Sequence, residues 1–138
     1  MKTVITYGTF DLLHYGHIEI LRRAKELAED GRLIVAVSSD EFNALKGKKS
    51  HMSYEKRKEL VSAIRYVDTV IPEEAWEQKA SDIKKYNVDI FVMGNDWKGK
   101  FDELSVLCTV HYLPRTPSIS STALRRIIAE LEEIETTA

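Results

Sequence analysis

Short runs of apolar, largely β-branched residues recur along this chain, and stretches whose apolar residues fall at helical spacing lie between them. No other feature constrains the fold as tightly. A solid apolar run of strand length needs cover on both faces, and helices packed on the two sides of a parallel sheet supply it. Residues 33–38, Leu-Ile-Val-Ala-Val-Ser, are the clearest such run. Residues 3–7, 67–71, 90–93 and 109–113 read as further strands, the 67–71 run closed by Pro72. Ile18, Leu21, Ala24 and Ala28 predict a helix over about 16–28, with Gly31 placed to end it. Leu60, Val61 and Ile64 mark a helix over 53–65, and Trp76, Ala80 and Ile83 fall at i, i+4 and i+7 on another. Leu124, Ile127, Ile128, Leu131 and Ile134 form one face of the last helix. The expected class is α/β: a five-stranded parallel sheet with helices on both faces.

The chain has 138 residues, which suits one domain over 1–138. Apolar residues make up 43% and charged residues 30%, the balance of a globular protein rather than a disordered one. A net charge of −2 gives no basic excess that would point to nucleic acid as the partner. The single cysteine, Cys108, excludes an internal disulfide framework and a multi-cysteine zinc site. The longest apolar run, residues 33–37, falls far short of the roughly 18 residues of a membrane span. The N-terminus has no apolar stretch long enough for a signal peptide, so a cytoplasmic domain is expected.

In an open parallel sheet, ligands bind beyond the carboxyl ends of the strands. Four segments qualify: residues 8–17, the lysine-rich loop 46–51, residues 94–100 and residues 114–122. Neither G-x-G-x-x-G nor a P-loop occurs. Residues 8–17 offer another route to phosphate. His14 and His17 are three apart at the mouth of a helix, so their rings can share one side of its first turn. Gly16 between them leaves the backbone open, and a helix N-terminus favours anions. Two imidazoles there can donate hydrogen bonds to phosphate oxygens and to charge developing in a transition state.

Gly-Thr-Phe-Asp-Leu-Leu-His-Tyr-Gly-His resembles the H-x-G-H signature of the cytidylyltransferase family, within the wider nucleotidyltransferase superfamily. Arg115-Thr116-Pro117-Ser118-Ile119-Ser120-Ser121-Thr122 resembles the family's second signature, R-T-x-G-I-S-T-T. Residues 40–43, 53–58, 64–68 and 91–97 look most like the bacterial glycerol-3-phosphate cytidylyltransferases. The resemblance spans about residues 2–128 and implies a single Rossmann-like domain that joins CTP to sn-glycerol 3-phosphate. The products would be CDP-glycerol, a precursor for teichoic-acid or capsule polymers, and pyrophosphate. The alternative is the same transfer to another phosphorylated acceptor: a polyol or sugar phosphate, phosphocholine or phosphoethanolamine.

The resemblance also implies roles. His14 and His17 would contact the α- and β-phosphates, and Thr9 and Phe10 would line the nucleotide's phosphate site. Lys46 and Lys48 match loop lysines that clamp phosphates, while Arg57, Arg65 and Lys79 match positions near the substrates. Arg115, with a guanidinium fork suited to phosphate, opens the second signature, and Ser120, Ser121 and Thr122 begin the last helix. Asp96, next to Trp97, is a candidate nucleoside contact, and Asp11 either serves the site or fixes its loop through backbone N–H groups. Trp76 reads as an anchor on a helical stripe, although the family pattern also has tryptophan there. No protein metal ligands are assigned. Mg²⁺ would arrive with CTP, and a homodimer is expected. Ser118 stands where the family signature has glycine, preceded by Pro117, which has no N–H for a phosphate.

Overall fold

A computed structural model describes residues 1–114 and 121–137. Arg115, Pro117, Ser118 and Ser120 lie outside the described residues. The chain runs β1 (Thr3–Gly8), α1 (Tyr15–Leu27), β2 (Arg32–Ser38), α2 (Asp40–Leu45), α3 (Tyr54–Ser62), β3 (Thr69–Glu73), α4 (Gln78–Lys85), β4 (Ile90–Gly94), β5 (Thr109–Leu113) and α5 (Ser121–Thr137). Two short 3-10 turns, Asn95–Trp97 and Asp102–Val106, bridge β4 and β5. The five strands form one sheet in the order β3-β2-β1-β4-β5, and every pairing is parallel. The expected α/β class with a five-stranded parallel sheet is therefore the one observed.

Both faces of the sheet are covered, as the solid apolar runs require. Alternation along β2 sends Leu33, Val35 and Val37 to one side, where they pack with Leu21 and Ala24 of α1, Ala28 just after it and Val61 of α3. Ile34 and Ala36 face the other side and join Ile5, Phe91, Ile83 of α4 and Leu104. Val4, Ile5 and residues 33–37 are fully buried, so the middle of the core lies along β1 and β2. No described helix is long and apolar enough to cross a membrane.

Four local readings change. β3 continues through Pro72 to Glu73, which an edge strand tolerates because proline's missing N–H can face outward. The fourth helix starts at Gln78, so Trp76 precedes it and is half exposed rather than buried on a stripe. Residues 40–45 form a helix that apolar spacing does not announce; Ser39 caps it by accepting from the Phe42 N–H. Gly31 does not end α1. Glu29, at φ 57°, makes the left-handed turn, and Gly31 instead lies where a Cβ would stand 1.8 Å from the Lys2 carbonyl oxygen.

Chain order places the functional region. Strands β1, β2 and β3 extend the sheet one way, and β4 returns to the opposite side of β1. The order reverses between β1 and β4, the place where open α/β sheets open a crevice at their carboxyl edge.

Candidate phosphate-binding site

The loop after β1 is built under strain. Phe10 and Leu12 take left-handed φ values of 55° and 50°, unusual for residues with side chains. Gly8 makes room for this turn, because a Cβ there would come within 2.9 Å of the Phe10 ring. Phe10 in turn lies 5.4 Å from the His17 ring.

His14 and His17 cap α1 reciprocally. The Gly16 N–H donates to His14 Nδ1 at 3.0 Å, and the His14 N–H donates to His17 Nδ1 at 3.2 Å. With both Nδ1 atoms accepting, each neutral ring carries its hydrogen on Nε2. Burial lowers the pKa of both, and for His17, where the His14 ring adds to the effect, it falls to about 4. Two neutral rings, 4.0 Å apart, thus present N–H donors at a helix N-terminus, and His17 lines the cleft.

The cleft runs along the carboxyl ends of β1, β2, β3 and β4. It is lined by Thr9, Phe10, Asp11 and His17 on one side and by Lys46, Lys48, Glu73, Trp76 and Lys79 on another. Trp97, Phe101, Thr122 and Arg125 complete it. Thr9 also donates its hydroxyl to Asn43 Oδ1 at 3.1 Å, which ties the loop to α2. Lys46 ends α2 and turns inward. Its ammonium donates to Ser38 Oγ at 3.1 Å and lies 4.6 Å from the centre of the Phe42 ring. Burial lowers its pKa to about 8; Glu73 acts in the opposite direction, while Lys48, Lys79 and Arg57 lower it further.

Two buried carboxylates organise the cations. Asp11, 1% exposed, accepts the N–H groups of His51 and Met52 at 2.9 and 3.0 Å and the Arg125 guanidinium at 2.9 Å. Burial acts to raise its pKa, but these donors outweigh it and hold the carboxyl below its usual range. The loop-fixing alternative for Asp11 is thus realised, across a different loop from its own. Glu73 receives the Lys79 ammonium at 2.7 Å and the Ser38 hydroxyl at 2.9 Å.

Thr9, Phe10, His17, Lys46, Lys48, Lys79 and Thr122 all line the cleft, and His14 lies against His17. Ser121 begins α5. Arg57 does not line it. Its guanidinium is fully buried beneath, donating to the carbonyls of Thr9, Ser38 and Met52 and to Asp40. Arg65 follows α3 at the amino-terminal edge of the sheet, the far side from the cleft, and its guanidinium lies over the Tyr66 ring. A substrate role for Arg65 does not fit that position. Asp96 is exposed just beyond β4 and outside the cleft wall, although its neighbour Trp97 is part of it. Sequence reasoning missed Glu73 and Arg125. Only the i+3 step from Thr122, on the same helix face, pointed toward Arg125.

The parallel sheet, its reversal of strand order and the paired histidine caps define a nucleotidyl-transfer type of α/β domain. The chain belongs to the cytidylyltransferase-like family, which it matches over residues 5–127. It is 60% identical over 131 residues to the glycerol-3-phosphate cytidylyltransferase of Bacillus subtilis, covering 95% of this chain and 100% of that protein. The enzyme of the same name from Staphylococcus aureus is 59% identical over 126 residues, covering 91% of this chain and 94% of its own. Among solved structures, the lipopolysaccharide core biosynthesis protein from Thermoplasma volcanium superimposes with a TM-score of 0.72 at 26% identity, covering 84% of this chain and 98% of that one.

Lys46 gives the site a pH dependence that can be measured. An ammonium that loses its proton near pH 8 stops attracting phosphate above that value. The activity of the free enzyme, as kcat/KM, is therefore expected to fall above about pH 8. Lys46→Arg, which keeps its charge, should move that limb upward; an unmoved limb would assign it to another group.

Proposed function

We propose that this chain transfers CMP from CTP to sn-glycerol 3-phosphate, releasing pyrophosphate and giving CDP-glycerol, an activated unit for teichoic-acid synthesis. The observation that carries the reading is the pair of neutral, Nε2-protonated histidines at the N-terminus of α1, with the lysines of α2 and its following loop lining the same cleft. High identity along nearly the whole chain to enzymes of that name supports the choice of substrates.

The chemistry needs little from the protein beyond placement and charge. A phosphate oxygen of the acceptor attacks the α-phosphorus of CTP, and the bond from that phosphorus to the oxygen bridging to the β-phosphate breaks. The electron pair leaves with pyrophosphate. A phosphate oxygen is already an anionic nucleophile, so no general base is required. His14 and His17 donate to the α- and β-phosphate oxygens as charge builds there, from positions already fixed by the helix caps. Lys46 and Lys48 attract the polyphosphate, and the resemblance of the second signature adds Arg115, Ser120, Ser121 and Thr122 to the nucleotide's contacts. Lys79 serves the acceptor side.

Mg²⁺ would arrive with the nucleotide and offset the charge of its phosphates. Among the described residues, no three His, Cys, Asp or Glu side chains gather as a ready-made metal site. The enzyme works in the cytoplasm, where nucleoside triphosphates are held, and as a homodimer. Leu60, Ile127 and Leu131, exposed around the apolar groove between α3 and α5, supply surface that a second copy would cover.

The test is pyrophosphate release with Mg²⁺ and glycerol 3-phosphate, comparing CTP with ATP, GTP and UTP, and light scattering on the same preparation for its mass. Turnover with CTP alone is expected. Release that persists equally with another acceptor, such as a sugar phosphate, would overturn the assignment of glycerol 3-phosphate.

A further inference from the structure

Lys79 rises from α4 into a box that a free cation would be expected to fill. Its residue is 6% exposed, and its ammonium sits 2.7 Å from Glu73 Oε2. Around it stand three aromatic rings, with their centres 4.9 Å away for Tyr7, 5.4 Å for Trp76 and 5.3 Å for Phe101. A carboxylate and several ring faces within about 6 Å of one point are the means by which proteins hold ammonium and quaternary ammonium groups. Here the chain supplies that group itself. All five residues line the cleft, so the box faces the space an acceptor would use.

The box is fixed from behind. Glu73 Oε1 accepts the Ser38 hydroxyl at 2.9 Å, and the Ser38 oxygen accepts from Lys46 at 3.1 Å. Tyr7 is fixed as well: its hydroxyl donates to Asp82 at 2.7 Å, and burial together with that carboxylate keeps the phenol protonated.

We propose that Lys79, by filling a carboxylate-and-aromatic box with its own ammonium, makes the cleft select phosphorylated acceptors with an uncharged body and reject those with a cationic head group. The proposal rests on the reaction proposed above and defines its acceptor class. A cationic acceptor such as phosphocholine meets a like charge where its best partners would be, and those partners are already engaged. A polyol phosphate brings no second charge, and its anionic end gains from the ammonium. Glu73 is the positioning residue, since it holds Lys79 in the box.

The test uses tetramethylammonium as the probe, with the purified full chain and its Lys79→Ala variant. Calorimetry should show saturable binding to the variant and none to the native protein, and the Lys79→Ala/Glu73→Gln double variant should lose it. In turnover with CTP, the ratio of kcat/KM for glycerol 3-phosphate over that for phosphocholine should fall by about tenfold or more in Lys79→Ala. A folded variant that fails to bind tetramethylammonium overturns the proposal. If the variant is unstable because Glu73 is left buried without its cationic partner, tetramethylammonium should restore its melting temperature saturably, and no restoration is equally an overturning result. Native protein that turns over no acceptor would overturn the proposed reaction instead, a result the binding measurement keeps separate.

Discussion

Replacing His14 with asparagine is expected to leave the fold intact and to lower kcat by about 10²- to 10³-fold, the usual cost of removing one preorganised donor to developing charge. His14 serves two purposes that this substitution separates. Its Nδ1 accepts the Gly16 N–H and caps α1, while Nε2 carries the hydrogen available to a phosphate. Asparagine is a good N-cap and can accept in place of Nδ1, but it is too short to replace the Nε2 donor. His14→Ala should lose the same activity and, in addition, about 1 kcal/mol of stability from the missing cap. The measurements are steady-state pyrophosphate release and urea denaturation of both variants. A His14→Asn enzyme within about threefold of native kcat would remove the imidazole from the chemistry.

Arg57→Met is expected to cost about 3–5 kcal/mol of folding stability, read as a lower urea midpoint. The Arg57 guanidinium is 0% exposed and donates to the carbonyls of Thr9 and Ser38 at 2.8 and 2.7 Å, to that of Met52 at 3.0 Å, and to Asp40 at 2.7 Å. One side chain thus ties the loop after β1, the end of β2, the lysine-rich loop and the start of α2. Methionine of similar length takes this donor from three carbonyls, that of Ser38 buried and those of Thr9 and Met52 partly so, at about 1–3 kcal/mol for a buried group and less for the others. Lysine should not rescue the variant, because a single ammonium cannot span the fork's four acceptors. The outcome that would sink this account is a native urea midpoint combined with a raised KM for the acceptor. That pattern would make Arg57 a substrate contact, as the family resemblance implied.

These two residues show how differently the site was legible. His14 and His17 could be read directly, because the relevant geometry is local: three residues apart at a helix start fixes which rings meet. Strand runs were legible for a related reason, since burial on both faces leaves an unbroken apolar record. Pro72 misled the boundary of β3 because its effect depends on whether the strand lies at an edge, and edge position is a property of the sheet order. Trp76 misled through spacing that suits a helix which in fact begins two residues later.

Charged residues were harder, because a charge in sequence says nothing of its partner. Asp11 and Arg125 lie 114 positions apart, and Arg57 reaches back 48 positions to Thr9. Arg65 and Lys79 looked alike as surface cations near the substrates. One lies at the amino-terminal edge of the sheet, and the other lines the cleft, paired with Glu73 among three rings.

By itself the sequence determined the α/β class, the parallel sheet and the pairing of His14 with His17 at the start of α1, since each is written in short-range pattern. The tertiary structure alone decided which cations face the cleft, which are buried beneath it and which carboxylate holds each. The physical reason is that burying a charge is costly unless a partner meets it, and crossover connections choose that partner by bringing distant segments to one edge of the sheet.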